Sequence, residues 1–91
     1  MVRTFVKGPY TGRSRKLIKI EDIEDMKSST SVVASITELT AVGGSLDYPH
    51  LGEAPLEVLN VAPYDDGSLY IRAYVDYDYT LPFRLTLFVD P

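Results

Sequence analysis

The chain has no cysteine and only one histidine, and it contains no long apolar run. Without thiols there is no disulfide framework and no thiolate zinc site, which suits the reducing cytosol. The lone His50 excludes paired-histidine metal signatures. No stretch approaches the ~20 apolar residues of a membrane span, and residues 1–10 lack the apolar core of a signal peptide. The expectation is a cytoplasmic, soluble protein that makes no use of a membrane. Gly-rich phosphate loops, a Walker sequence and a nucleophile elbow are also missing. The chain is therefore read as non-catalytic, with no catalytic residues, no metal and no cofactor.

What is present is enough to fold. Its 91 residues make a single domain over 1–91, and 45% hydrophobic content is more than disordered chains carry. A domain this small buries only roughly 60% of its unfolded surface, so a dimer or partner interface would add useful burial. Charge is uneven. Residues 1–19 hold Arg3, Lys7, Arg13, Arg15, Lys16 and Lys19 with no acid, whereas residues 46–91 hold two arginines against eight acids, within a net charge of −4. A dipolar surface can orient self-association or steer a charged partner, although salt screens it beyond roughly 8 Å.

Alternation of apolar and polar residues predicts mainly strands. A first strand is expected over 2–6, stopped by Gly8-Pro9, and a second over 15–20. Ile20, Ile23 and Met26 recur at spacing three among acids, which allows at most one short helix near 21–27. Residues 32–42 are rich in Val, Thr and Ile and read as a strand that Gly43-Gly44 ends. Residues 45–55, with Pro49, Gly52 and Pro55, read as a long connection. Three further runs follow at 56–62, 68–76 and 83–89. The fold class is thus all-β, a small antiparallel sandwich or partly open barrel of five to seven strands.

The last third carries the clearest pattern. Leu69, Ile71, Ala73 and Val75 share one face of their strand and should form the core, which leaves Tyr70, Arg72, Tyr74 and Asp76 facing out. In the next run Leu85, Leu87 and Val89 face in, with Arg84, Thr86 and Phe88 opposite. If the two runs form a hairpin, Tyr70 meets Phe88 and Tyr74 meets Arg84, or one step along, Arg72 meets Phe88 and Asp76 meets Arg84. The preceding hairpin is expected to set Val61 against Leu69 and Leu59 against Ile71 across a loop at 63–67. Val58 and Asn60 then join an aromatic outer face. Tyr and Arg dominate many binding surfaces, so Tyr70, Arg72, Tyr74, Phe88, Asn60 and Arg84 are the candidate binding residues of a protein-binding or assembly module, with a homodimer as one form of assembly. The competing explanation is that other segments of the chain cover these rings.

Other constellations are weaker. His50 lies between Asp47 and Glu53 in sequence, but no nucleophile is marked out beside it. Asp65-Asp66-Gly67-Ser68 has the oxygen content of a calcium loop, yet the bidentate Glu that closes such a loop is not supplied where Asp76 and Tyr77 stand, and turn-forming Asp explains it better. The Tyr- and Asp-rich segment 64–79 suits a carbohydrate-binding cleft, although parity places Tyr77 and Tyr79 on the core side. Arg13, Arg15, Lys16 and Lys19 with Tyr10 nearby are the residues a nucleic-acid site would use over 13–19, in a chain whose overall acidity works against it.

Overall fold

A computed structural model describes residues 2–42 and 45–90, with the side chains of 42 and 45–47 excepted. Among these residues seven strands account for the fold: β1 (Arg3–Gly12), β2 (Ser14–Ile20), β3 (Ser31–Val42), β4 (Ser45–Pro49), β5 (Leu56–Pro63), β6 (Leu69–Val75) and β7 (Leu81–Asp90). They form two antiparallel sheets, a four-stranded one in the order β1-β7-β3-β4 and a three-stranded one in the order β2-β6-β5. The expected Gly43-Gly44 stop lies outside the described residues.

The two sheets face each other, and their middle strands supply the interior. Leu69, Ile71, Ala73 and Val75 of β6 and Phe83, Leu85, Leu87 and Val89 of β7 are all fully buried. Alternation delivers both sets, because every second side chain of a strand points to the same face. Ile18 and Ile20 from β2 join this cluster, with Phe5, Val32, Ala34 and Ile36 from the four-stranded sheet and Leu56, Val58 and Val61 from β5 packed against it. A two-layer sandwich with one shared core is the result.

The expected hairpin between β6 and β7 does not form. β6 pairs with β2 and β5, β7 pairs with β1 and β3, and residues 76–80 carry the chain from one sheet to the other. The aliphatic faces explain why. Set across from each other, each flanked by two neighbours, both strands bury their whole apolar side; side by side in one sheet they would have needed a second layer from elsewhere.

The β5–β6 hairpin forms, with its register displaced. Val61 pairs with Ile71 and Pro63 with Leu69, and the register shifts between Val58 and Asn60. Leu59 is the extra residue of a β-bulge, so it points outward and is 41% exposed, while Val58 takes the inward position. The expected assignments of Val58 and Leu59 are therefore exchanged. Beyond Pro63 the chain turns with Gly67 N–H donating to Tyr64 O at 3.2 Å and Tyr64 N–H to Ser68 O at 3.0 Å. Gly67 sits at φ +86, the left-handed position that such a turn requires, with Ile23 O 3.3 Å from where a Cβ would lie.

No helix forms among the described residues. Ile20, Ile23 and Met26 are buried as their spacing suggests, but successive turns deliver them. Asp22 and Asp25 stand at φ 60 and 62, outside helical geometry, and Ile23 N–H donates to Gly67 O at 3.1 Å across to the hairpin turn. Met26 and Ile23 thereby close one end of the sandwich. β1 also runs past Gly8-Pro9 to Gly12, its register with β7 shifting between Lys7 and Tyr10 around that pair. Residues 45–55 are only partly a connection, since β4 occupies 45–49.

Candidate functional site

The outer face of the three-stranded sheet gathers most of the candidate residues. Register fixes three cross-strand rows: Lys19, Tyr70 and Ala62; Leu17, Arg72 and Asn60; Arg15, Tyr74 and Glu57. Each row runs from edge strand β2 through β6 to edge strand β5, on the side opposite the buried aliphatics of β6. Tyr70 and Tyr74 are half-buried, Arg72, Asn60, Arg15 and Lys19 are exposed, and Leu17 is 55% exposed. Among the described residues no chain segment covers the face.

Its relief is shallow and its centre is braced. A concavity of about 290 Å³ is lined by Leu17, Asn60, Ala62, Tyr64, Tyr70 and Arg72. A second of about 290 Å³ lies beside it, between Arg15, Glu57, Leu59 and Tyr74. Tyr64 meets Tyr70 edge-on, ring centroids 5.3 Å apart at 82°, and the Lys19 ammonium stands 5.6 Å from the Tyr70 centroid. Lys19 also contacts Glu21 at 2.8 Å. Hydrogen bonds to Glu21 and then to Tyr70 hold the Lys19 ammonium above the ordinary lysine pKa, so it stays charged. The surface thus offers fixed rings, two arginines and an amide, a set that recognises shape, apolar contact and carboxylate or phosphate oxygens.

Phe88 and Arg84 are not part of it. Both belong to β7 in the other sheet, on the face turned away from the core, so the whole sandwich separates them from Tyr70 and Tyr74. Phe88 pairs across to Thr4 and Val33, and Arg84 to Thr37. The Arg84 Nε is buried, with no hydrogen-bond partner among the described residues.

The basic segment divides. Arg15 and Lys19 alternate onto the tyrosine face, while Arg13 donates from Nη1 to the Asp78 carbonyl at 2.6 Å and the Lys16 stem lies over Gly12. Tyr10 turns inward against Phe83, centroids 5.8 Å apart, and burial pushes its hydroxyl pKa up. It is not placed to stack on a base beside Arg13. The segment 64–79 divides too. Tyr64 lies at one end of β6 and Tyr77 and Tyr79 past the other, and seven residues of strand put roughly 20 Å between them. Tyr77 and Tyr79 are exposed, their rings 6.0 Å apart, because β6 stops at Val75 and the parity that would have turned them inward stops with it.

His50 has a different neighbour from those its sequence suggests. Its ring Nε2 lies 3.8 Å from Glu38 Oε2, and its backbone N–H donates to the Glu38 carbonyl at 2.8 Å. Glu38 is largely buried, and a Cβ on Gly52 would fall 2.8 Å from its Oε1, so glycine lets the loop pass. These residues, with Glu53 and Tyr77, surround a hollow of about 300 Å³. An acid on the inward side of β3, opposite Phe83, was the one sequence signal for this contact. Among the described residues no group of three His, Cys, Asp or Glu side chains is placed to hold a metal ion.

Comparison with known protein families, with curated proteins and with solved structures finds no match. The chemistry of the tyrosine face carries the functional reading by itself. Among the described residues no helix is long and apolar enough to cross a membrane.

Proposed function

We propose that the protein is a non-catalytic protein-binding module, an adaptor, inhibitor or structural subunit, that engages its partner through the outer face of the three-stranded sheet. The observation that carries this reading is the uncovered row of Tyr70, Arg72 and Tyr74 along β6, flanked by Leu17 and Asn60. Tyr and Arg lose little freedom on binding for the area they contribute, and such side chains concentrate binding energy near the centre of an interface. Cytoplasmic action suits the lack of cysteine.

Affinity capture followed by titration with the purified partner tests it. Replacing Tyr70 and Tyr74 together by serine should weaken binding by at least about thirtyfold, the effect of losing roughly 2 kcal/mol at a hot spot. The melting temperature should stay close to that of the parent. Loss of the fold in this variant would make the rings structural and overturn the reading.

A second reading has one observation in its favour. Arg15 and Lys19 stand in the same rows as Tyr74 and Tyr70, and cations beside stacking rings suit a single-stranded nucleic acid. Titration against an oligonucleotide separates the two, because nucleic-acid binding falls steeply with salt.

A further inference from the structure

We propose that the outer face of the four-stranded sheet is a self-association surface, occupied by a second copy of this chain packed face to face with its strands antiparallel to those of the first. Two cross-strand rows form its centre, Thr4, Phe88 and Val33, then Val6, Thr86 and Ser35. None of the six is charged, in a chain where 24% of residues are. Val6 is 63% exposed, Val33 65% and Phe88 40%. Val6 on β1 and Val33 on β3 flank Phe88 on the strand between them, and apolar side chains exposed to this degree on one face mark a surface that is covered in use.

Charge selects the occupant and its orientation. A neutral apolar face gives a strongly charged partner nothing to pair with, whereas an identical copy meets it without like-charge cost, despite a net charge of −4 on each molecule. Beyond the two rows β7 carries Arg84 at one end and Asp90 at the other, on the same outward side. A twofold axis along the strands would set Arg84 over Arg84 and Asp90 over Asp90. An axis across the strands sets Arg84 of one copy over Asp90 of the other at both ends. Only the second arrangement avoids repulsion, and it is isologous, as closed dimers require. Stacked sheets then lie ~10 Å apart, as in a sandwich interior.

Size sets the strength. Three strands ~4.8 Å apart and about seven residues long give a footprint of roughly 14 by 24 Å. Two such faces bury roughly 700 Å² together, below the roughly 1,200 Å² of stable interfaces, so the pairing is a weak one with a dissociation constant on the order of 100 μM. The pairing is independent of the partner site proposed above. It leaves both tyrosine faces outward, two per dimer.

Sedimentation velocity on the intact protein, from about 1 μM to about 1 mM, tests this over a range that brackets such a constant. The expected result is a monomer–dimer equilibrium whose midpoint rises at least about tenfold in a Val6→Lys, Val33→Lys double variant. Ser35→Lys removes no apolar group, so it should fold as the parent does and shift the midpoint in the same direction. Leu17→Lys, on the opposite sheet, should leave the equilibrium unchanged. A strict monomer throughout, a dimer that tolerates lysine at Val6, Val33 and Ser35, or a dimer lost on Leu17→Lys would each overturn the proposal.

Discussion

Val58 and Leu59 are neighbours on an edge strand with opposite fates, and the bulge between Val58 and Asn60 decides which is which. Alternation read from Val61 backwards puts Leu59 inside, and only an inserted residue reverses it. Val58 packs against the core and Leu59 faces water. Val58→Ser should therefore cost about 1 to 2 kcal/mol in urea denaturation, while Leu59→Ser should stay within about 0.5 kcal/mol. The reverse order of effects would mean that β5 is registered without its bulge. Sequence holds little warning of it, since Val58-Leu59-Asn60-Val61 has apolar residues of both parities and no glycine to mark the irregularity. By contrast, Leu69, Ile71, Ala73 and Val75 were legible, because every alternate side chain is aliphatic and the chemistry agrees with the pleat.

Among the elements, the turn between β5 and β6 is held by two carboxylates, one tying it to the loop after β2 and one bracing it from within. Asp65 Oδ1 accepts from Ser28 N–H at 2.8 Å, and Asp66 Oδ1 accepts from Ser68 N–H at 3.0 Å and from Ser68 Oγ at 2.5 Å. These hydrogen bonds, from Ser28 to Asp65 and from Ser68 to Asp66, hold both carboxyls below the ordinary value of 3.8. A carboxyl depressed in the folded state stabilises it fully above its unfolded pKa and ceases to do so as pH falls through the folded value. The melting temperature should thus fall on acidification below about pH 4, and an Asp65→Asn, Asp66→Asn variant should show a smaller fall over the same range. Equal acid sensitivity in the two proteins would remove these carboxyls from the cause. Sequence foresaw the turn from Asp-Asp-Gly but not its attachment. The contact joins Ser28 to Asp65, 37 residues apart, and local chemistry carries no record of so distant a partner.

For the whole molecule, the aliphatic parity of β6 and β7 told which side each strand buries but not which strands stand beside it. Sequential strands pair or neighbour one another only about two-thirds of the time, and this connection is one that changes sheets. The candidate site was legible to the same extent. Tyr70, Arg72, Tyr74 and Asn60 fall together because one hairpin carries them, whereas Phe88 and Arg84 depended on the pairing that does not occur. With one interior fed from both layers, the sheets should lose structure together. Leu69→Ala in one sheet and Leu87→Ala in the other should each lower the stability of a single urea transition by about 2 to 5 kcal/mol. Two separate transitions in either variant would mean that the layers fold apart.

β1 and β7 lie side by side with Arg3 opposite Val89. Partners across an antiparallel ladder are only about 5 Å apart, so positions 86 residues apart in the sequence stand at contact distance. Fluorophores attached at Val2 and Asp90 would for the same reason report on each other at close range, whatever binds to either face of the sandwich.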